Sequence, residues 1–372
     1  MSAPARLHGR RILLDATIHA WSAGWTFLQM LAVALAPEND TVYLDSPLSL
    51  ARMRPRNLGL LRGAASVRLG GDGLRVLGSL TLPYQRVEAA RLVAARLVAR
   101  QASRWARRVG FAPDLVWANS PYSLPLLDRF PAARSLYWTG DEVVIPGEEE
   151  LLARVDAILC VSEPVYERHR ARFGARTHFV PVACDFERYH AALSRDEPDP
   201  LAGVQRPVLG YAGWINQRLH VGLLTALADS LPSGTVVVAG PVQRLGRDER
   251  AALESRPNVM LLGPQTPDAL PLLIRSFDVA LVPYRDLTFN RNSNPVKFYE
   301  YLALGKPVVT TDIPTLRRFG NVASVGAEET FAERAIALLE SDGGETEARI
   351  AVARAHSFDA LLERLAAIPQ LG

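Results

Sequence analysis

Short, almost uninterrupted apolar segments alternate with longer helical segments along nearly the whole chain, and this alternation constrains the fold more than any other feature. The strands predicted in the first half are Arg11–Ala16, Thr41–Asp45, Asp114–Ala118, Ser135–Trp138 and Ala157–Val161. Those predicted in the second half are Val208–Ala212, Thr235–Ala239, Val259–Leu262, Asp278–Pro283 and Pro307–Thr310. Near-continuous apolar strands between helices are typical of parallel sheets covered on both faces. The pattern predicts an α/β fold with two βα domains in series.

A segment rich in Pro, Asp and Glu, residues 194–206, separates the two runs of strands. A chain of 372 residues is long enough for two domains of ordinary size. We therefore predict an N-terminal domain over residues 1–193, a linker over 194–206, a C-terminal domain over 207–356 and a final helical segment over 357–372.

Composition narrows the class of protein. Cys160 and Cys184 lie in apolar segments, so buried thiols are expected rather than a disulfide framework. No run of 18 apolar residues occurs, and the first residues lack the apolar core of a secretory signal. We expect a cytoplasmic protein without a membrane-spanning helix.

Lysine is almost absent, and the two lysines, Lys297 and Lys306, fall in one stretch of the second half, although arginine is abundant. A lysine in place of arginine suits contact with a single phosphate oxygen. Asn294 is a favourable N-cap and Pro295 a favourable first helical residue, so a helix start and a cation coincide. This combination predicts an anion site for a diphosphate, to which Ser293 and Asn294 could also donate. Chance, with codon bias, is the competing interpretation of the lysines.

Glu300 follows Lys297 by three residues, so the two side chains share a helix face. A carboxylate one turn into a phosphate-binding helix is well placed to accept hydrogen bonds from ribose hydroxyls. An exposed ion pair on the helix surface is the alternative.

The segment Lys297–Val309, with Gly305 and Pro307, resembles the donor-site helix of GT-B glycosyltransferases of group 1, the family 4-like branch. Leu261–Pro264 and Phe277–Pro283 resemble the core of that family's second domain, and the segments 154–163 and 180–189 resemble the end of its first. The resemblance covers almost the whole chain. It implies two Rossmann-like domains facing each other across a cleft, a nucleotide-diphospho-sugar held by the second domain, and a last helix crossing back to the first.

The resemblance also implies roles for individual residues. Members of the family often have two glutamates separated by seven residues. Glu300 matches the second glutamate, for which the resemblance implies ribose binding. The position of the first glutamate is occupied here by Asn292. The pattern Ser/Asn-Pro-x-Lys-x-x-Glu is closest to the teichuronic-acid and exopolysaccharide transferase branch. By the same resemblance the donor site includes Gly263 and Pro264, which follow the predicted strand Val259–Leu262.

A glycine-bearing turn follows the first strand of the second half, in Gly210–Arg218. Glycine allows close backbone approach there. By resemblance, Gly213 and Arg218 would meet the diphosphate. A second cation would stabilise the charge that develops on a departing nucleoside diphosphate. A surface arginine is the alternative for Arg218.

Acidic and aromatic residues of the first half supply the remaining candidates. Asp141, with Glu142 as substitute, follows a predicted strand and could deprotonate an acceptor hydroxyl; a loop or capping carboxylate is the alternative. In the loop after the first strand, Gly24 could approach the donor phosphates, and Trp21 and Trp25 could stack on a sugar or acceptor. The alternative is that these residues are only the hydrophobic segment that precedes the next helix.

We find no Asp-x-Asp motif and no His/Cys cluster with metal-ligand spacing, so we expect neither a metal nor a cofactor besides the nucleotide-sugar substrate. No Gly-x-Gly-x-x-Gly fingerprint occurs, which argues against a dehydrogenase. The arginine-rich stretch Arg86–Arg108 predicts a basic helix face that could contact anionic lipid, peripheral to the inner face of a membrane; a plain surface helix is the alternative. Nucleic acid is not an expected partner, because no recognised module is present.

Together these features predict a metal-independent glycosyltransferase. It would move a sugar from a nucleotide-diphospho-sugar, most simply a UDP-sugar, to a hydroxyl of a glycan or lipid-linked saccharide. Three alternatives remain open: a natural-product glycosyltransferase with a soluble acceptor, a nucleotide-sugar epimerase of the same fold, and a non-catalytic partner subunit.

Overall fold

Two sheets, both built mainly from parallel strands, organise the chain in its computed structural model. The structure describes residues 6–17, 21, 26–52, 65–68, 73–82, 87–140, 146–340 and 344–371. The chain divides into a first unit, Met1–Val161 with Val165–Val180 and Leu361–Gly372, and a second unit, Ser162–Pro164 with Pro181–Ala360.

The described strands of the first unit are β1 Arg11–Asp15, β2 Asp40–Leu44, β3 Leu48–Ser49, β4 Ala65–Arg68, β5 Leu74–Gly78, β6 Leu80–Thr81, β7 Leu115–Ala118, β8 Arg134–Thr139, β9 Ala157–Cys160 and β10 Thr177–Phe179. Its helices are α1 Phe27–Leu35, α2 Glu88–Val109, α3 Leu124–Arg129, α4 Glu148–Arg154 and α5 Glu163–Phe173. The main sheet has the order β10-β9-β8-β7-β1-β2-β5-β4, in which only β4 runs antiparallel to its neighbour, and β3 pairs with β6 separately. Strand β1 therefore lies between β7 and β2.

The second unit contains strands β11 Val208–Ala212, β12 Thr235–Ala239, β13 Val259–Leu262, β14 Val279–Val282, β15 Val308–Thr311 and β16 Ser324–Gly326. Its helices are α6 Phe186–Ala191, α7 Val221–Ser230, α8 Arg247–Glu254, α9 Ala269–Arg275, α10 Thr288–Arg291, α11 Val296–Ala303, α12 Phe331–Ala337 and α13 Thr346–Arg354. The sheet order is β13-β12-β11-β14-β15-β16, with every pair parallel. All the carboxyl ends of these strands therefore meet at one edge.

All ten predicted strands are present, each within one residue at either end. The strands that the sequence did not indicate are β3, β4, β5, β6, β10 and β16. Most of them are short or lie at sheet edges, where a long apolar run is not needed because one side faces solvent. Both cysteines are free and buried, as predicted.

The unit boundaries differ from the positions proposed for the domains. The segment 181–206 groups with the second unit, which places α6 there. Helix α14, Phe358–Ala366, begins in the second unit, and the residues from Leu361 onward group with the first. The Leu7 amide donates to the Leu362 carbonyl at 3.3 Å, which ties this terminal segment to the start of the first unit.

Helix α2 buries one face in the core of the first unit. The spacing of the arginines in Arg86–Arg108 predicts that Val87, Val98, Trp105 and Val109 lie together on the opposite, inward face. Val98 and Trp105 are buried as predicted, but Val87 and Val109 are 60% and 46% exposed. That expectation was wrong because both residues lie at the ends of the helix, where the core no longer covers them.

Candidate functional site

Glycines follow three neighbouring strands of the second sheet at their carboxyl ends. Gly213 follows β11, Gly240 follows β12 and Gly263 follows β13. Ligands of open parallel sheets bind at this edge, because the loops there are free to shape a site.

Two of these glycines allow unusually close backbone packing. Gly213 has a φ of +151° and Gly240 a φ of +138°, a region that other residues rarely adopt. A Cβ on Gly240 would lie 2.0 Å from the Gly213 carbonyl oxygen. A Cβ on Gly213 would lie 2.7 Å from Cε and 2.9 Å from Nζ of Lys297. The missing side chains therefore bring the lysine ammonium against the turn after β11.

Lys297 is held by aromatic residues from two strand ends. Its ammonium donates to the Tyr284 hydroxyl at 2.6 Å. It lies 5.2 Å from the ring centroids of both Tyr211 and Tyr284, within cation–π range. An ammonium has three donors, so this arrangement fixes the charge and leaves donors for an anion.

Arg218 is brought to the same tyrosine. Its guanidinium carbon lies 4.9 Å from the Tyr284 ring centroid and 4.2 Å from that of Phe289. Its Nε donates to the Oδ1 atom of Asn290 at 2.8 Å. The Asn290 amide in turn donates to the backbone carbonyls of Arg218 and Arg285, at 3.2 Å and 2.9 Å. The two predicted diphosphate cations thus share one aromatic partner.

Sequence reasoning missed Asn290, Tyr284 and Tyr211. Asn290 is buried in α10, the short helix before α11, and its amide group is fully engaged with Arg218 and Arg285, so it positions the arginine. The two tyrosines lie at or just after the carboxyl ends of strands, and this position was the one feature of the sequence that could have marked them as site residues.

The helix that carries Lys297 begins one residue later than predicted. Pro295 occupies the N-cap position and Val296 is the first helical residue of α11. Asn294, predicted as N-cap, instead accepts a hydrogen bond from the Tyr299 hydroxyl at 2.9 Å. The Ser293 hydroxyl donates to the Asn290 carbonyl at 2.8 Å.

The polar residues before α11 are not surface residues. Asn292, Ser293 and Asn294 are 7%, 0% and 4% exposed. The hydrogen bonds of Ser293 and Asn294 to neighbouring residues stiffen the loop before the helix start. Their side chains therefore shape the site, whatever further contact a ligand makes with them.

Glu300 lies near Lys297 on α11, and both are partly buried. Burial raises the pKa of the Glu300 carboxyl to about 7, while Lys297 and a hydrogen bond from Tyr189 act in the opposite direction. Asp185 adds a weaker upward contribution. The carboxyl therefore titrates much nearer to neutral pH than an exposed glutamate does. Tyr189 is a further residue that the sequence did not indicate.

Gly263 and Pro264 lie farther along the same edge. Both are exposed, and β12 separates their strand from β11. A Cβ on Gly263 would meet no atom within 4 Å. Packing therefore does not require glycine at this position.

The candidates of the first unit are described only in part. Asp141, Glu142, Gly24 and Trp25 lie outside the described residues. Trp21 packs edge-on against Tyr43, with ring centroids 4.8 Å apart. Its backbone amide donates to the Asp45 carboxylate at 2.7 Å, and its carbonyl accepts from the Gln29 amide at 2.5 Å. Trp21 is thus anchored near the ends of β1 and β2, with its side chain partly exposed.

The described part of the chain contains no cluster of three or more His, Cys, Asp or Glu residues that could hold a metal ion. Within the same residues no helix is both long and apolar enough to cross a membrane.

Comparison with known proteins identifies the second unit. Residues 206–341 match the family model for glycosyl transferases group 1. The second unit therefore carries a group 1 glycosyl transferase domain, which confirms the resemblance seen in the sequence.

One curated relative is TuaH of Bacillus subtilis (strain 168), a proposed teichuronic acid biosynthesis glycosyltransferase. It is 28% identical to this chain over 177 residues, which are 47% of the chain and 45% of TuaH. The aligned region thus spans less than half the length of this relative.

Similar solved structures cover almost the whole chain. An α,α-trehalose-phosphate synthase (UDP-forming) from Burkholderia xenovorans, crystallised with glucose-6-phosphate, has a TM-score of 0.73 at 14% identity. It covers 96% of this chain, and 98% of that structure is matched. HepE from Anabaena, crystallised with UDP and glucose, has a TM-score of 0.65 at 13% identity, with coverage of 96% and 98%. The fold is therefore the GT-B type of α/β fold.

Proposed function

We propose that the protein is a glycosyltransferase that transfers a sugar from a nucleotide-diphospho-sugar, preferably a UDP-sugar, to a hydroxyl of a glycan or lipid-linked saccharide. The observation that carries the proposal is the pairing of Lys297 and Arg218 around Tyr284, at the carboxyl edge of the second sheet. The match to the group 1 domain and the UDP named for HepE support the choice of donor.

In the proposed donor site, positively charged groups bind the diphosphate and a carboxylate forms hydrogen bonds with the ribose. Lys297, Arg218 and the start of α11 bind the diphosphate and stabilise the negative charge that develops as the sugar leaves. Glu300 accepts hydrogen bonds from the ribose hydroxyls. We propose that these cations suffice without a metal or another cofactor. In an inverting reaction Asp141, or Glu142 in its place, removes the proton from the acceptor hydroxyl.

Calorimetric titration with UDP, GDP and ADP tests the donor site. We expect one nucleotide to bind in the micromolar range, and Lys297→Ala to lose about 1.5–3 kcal/mol of binding free energy, as for a charged hydrogen bond. Lys306→Ala is the matched control, because it removes the other lysine, next to the amino end of β15. Circular dichroism verifies that both variants fold.

The outcomes separate the possible failures. Absence of binding by all three nucleotides would remove the transferase proposal. Tight binding that is unchanged in Lys297→Ala would place the diphosphate elsewhere. Conversion of a UDP-sugar without any acceptor would identify an epimerase instead.

The acceptor side includes a proposed contact with an anionic membrane surface through α2. Its exposed arginines include Arg96, Arg100, Arg104, Arg107 and Arg108. Leu92 and Val93 are 42% and 47% exposed on the same helix, so charge and apolar surface occur together. We expect sedimentation with vesicles containing phosphatidylglycerol but not with phosphatidylcholine vesicles. Replacement of Arg96, Arg100 and Arg104 by Glu should abolish it, and binding that survives this change would argue for a plain surface helix. Peripheral attachment of this kind fits a cytoplasmic location.

A further inference from the structure

One ion pair at the carboxyl edge of the second sheet joins two segments that are 36 positions apart in sequence. The Glu249 carboxylate, in the first turn of α8, accepts a hydrogen bond from the guanidinium of Arg285, which follows β14. In the sheet, β11 lies between β14 and β12, the strand that precedes α8. The pair therefore links the segments on either side of the one that carries Arg218.

Arg285 also holds the segment after β11 directly. Its Nε atom donates to the Leu219 carbonyl at 3.0 Å, and its backbone amide donates to the Arg218 carbonyl at 2.9 Å. The His220 amide donates to the Pro283 carbonyl at 2.8 Å, so the two segments run antiparallel beside each other here. One arginine thus fixes the backbone of Arg218 and of the residue that follows it.

The Glu249 carboxylate fixes the orientation of the Arg285 guanidinium. An arginine side chain is a planar fork of donors, so one bond at Nε and another at Nη2 together set its plane. Glu249 is itself held, because its second oxygen accepts from the Gly246 amide at 3.2 Å. The start of α8 is therefore the anchor from which the arginine reaches the Leu219 carbonyl.

This pair differs from a neighbouring ion pair that has no such backbone contact. Arg291 and Asp286 pair in the segment after β14, and among the described residues the Arg291 side chain donates to that carboxylate alone. Pairs that are partly exposed contribute little to stability, because water screens them. The bond from Arg285 to the Leu219 carbonyl gives the Glu249 pair a further effect, on the position of the chain beside it.

We propose that Glu249 and Arg285 are positioning residues of the donor site. The pair holds the backbone of Arg218 and Leu219 in place, and thereby sets where the Arg218 guanidinium meets the diphosphate. The inference rests on the proposed donor function of Arg218 and adds two residues that act through it.

Affinities of the full chain for a nucleoside diphosphate and for its nucleoside test the inference. The probes are UDP, by calorimetry, and uridine, by saturation-transfer NMR; the guanine or adenine pair replaces them if wild type prefers GDP or ADP. We expect Glu249→Ala to bind UDP about tenfold more weakly than wild type and uridine within about twofold, because uridine lacks the phosphates. Glu254→Ala is the matched control: Glu254 lies in the same helix and pairs with Arg250 at 2.7 Å, so both affinities should stay as in wild type.

A purely electrostatic role predicts a change of opposite sign. Without the Glu249 carboxylate, Arg285 is an uncompensated cation at this edge, which would attract a diphosphate more strongly. Tighter or unchanged binding of UDP by Glu249→Ala would therefore overturn the positioning role. An equal loss of affinity for UDP and uridine would also overturn it, because general disruption of the site acts on both.

Two further variants keep the test independent of folding defects. The double variant Glu249→Ala/Arg285→Ala should bind UDP no more weakly than Arg285→Ala alone, because both changes break one contact. Additive losses would contradict the inference. Should Glu249→Ala fail to fold, Glu249→Gln decides in the same way, with an expected loss of about threefold because a neutral acceptor of the same length remains.

Failure of this inference is distinguishable from failure of the proposed function. If wild type binds none of UDP, GDP and ADP, the transferase proposal is removed and this inference with it. If wild type binds one of them and Glu249→Ala binds it equally well, the transferase proposal stands and only the positioning role is lost.

Discussion

The carboxyl edges of the two sheets offer different kinds of site. At the edge of the second sheet, backbone, cations and aromatic rings interlock: Gly240 packs on Gly213, Gly213 on Lys297, and Lys297 on Tyr284. At the edge of the first sheet a cavity of about 360 Å³ is left between polar residues at the strand ends and helix α2, which contributes alanines and Arg91. A fixed site suits a charged group of constant geometry such as a diphosphate. The open cavity does not fix such a geometry.

Gly240→Ala should have the largest effect, because the new Cβ would lie 2.0 Å from a backbone oxygen that cannot move independently. We expect the free energy of unfolding to fall by about 3 kcal/mol or more. Gly263→Ala, with no atom within 4 Å of the new Cβ, should change it by about 0.5 kcal/mol at most. Urea denaturation measures both. Equal losses of stability in the two variants would mean that the close packing of Gly240 on Gly213 does not stabilise this edge of the sheet.

Gly213→Ala tests whether the packing positions the lysine. The Cβ would meet Cε of Lys297, and the φ of +151° adds strain of about 1–3 kcal/mol. We expect UDP affinity to fall by roughly tenfold to a hundredfold, as for 1.4 kcal/mol or more. Calorimetry of the folded variant measures the loss, and Gly263→Ala again serves as control. Unchanged affinity would show that Lys297 adapts freely.

The same chemical change can be made at both edges by removing a tyrosine hydroxyl. The Tyr301 hydroxyl is buried, accepts from the Ala212 amide at 2.9 Å and donates to the Ala212 carbonyl at 3.2 Å. Tyr301→Phe leaves these groups unpaired and should cost about 1–3 kcal/mol of stability. Tyr122→Phe at the first edge should cost less than about 1 kcal/mol, because its bond to Glu88 is exposed.

Denaturation curves of the two phenylalanine variants make this comparison directly. A larger loss in Tyr122→Phe would reverse our account of which edge is fixed.

The smallest expected effect is a pH dependence from Glu300, whose pKa is raised to about 7 by burial. The carboxyl is mostly protonated at pH 6 and mostly ionised at pH 8, and the ionised form is the stronger acceptor for ribose hydroxyls. UDP affinity should therefore rise from pH 6 to pH 8 about threefold more in wild type than in Glu300→Gln. UDP itself also titrates in this pH range, but its contribution is the same for wild type and Glu300→Gln and cancels when the two proteins are compared. An identical rise in both would contradict the ribose role.

The same raised pKa sets a stability trend. Between the ordinary value of 4.5 and about 7 the folded protein binds more protons at Glu300 than the unfolded chain does. The contribution of Glu300 to stability is therefore present below about 4.5 and is lost as pH rises through about 7. Glu300→Gln should flatten the melting temperature over that window, and a wild-type slope retained in the variant would assign the trend to another group.

The sequence by itself determined the two runs of parallel strands and the helix that carries Lys297 and Glu300. Apolar strand patterns and helix starts are local properties of the chain, which explains why all ten predicted strands are present and why α11 begins within one residue of its predicted start. Strands without an apolar run, such as β4 and β16, gave no comparable signal.

Only the tertiary structure decided which side chains meet. Tyr284 joins Lys297 to Arg218 across 79 positions of sequence, and Asn290 and Tyr189 enter the site from segments with no motif. The first-unit cavity exists because β1 lies between β7 and β2, an order set by how the sheet closes its core. Strand order and burial depend on contacts distant in sequence, and no local pattern encodes them.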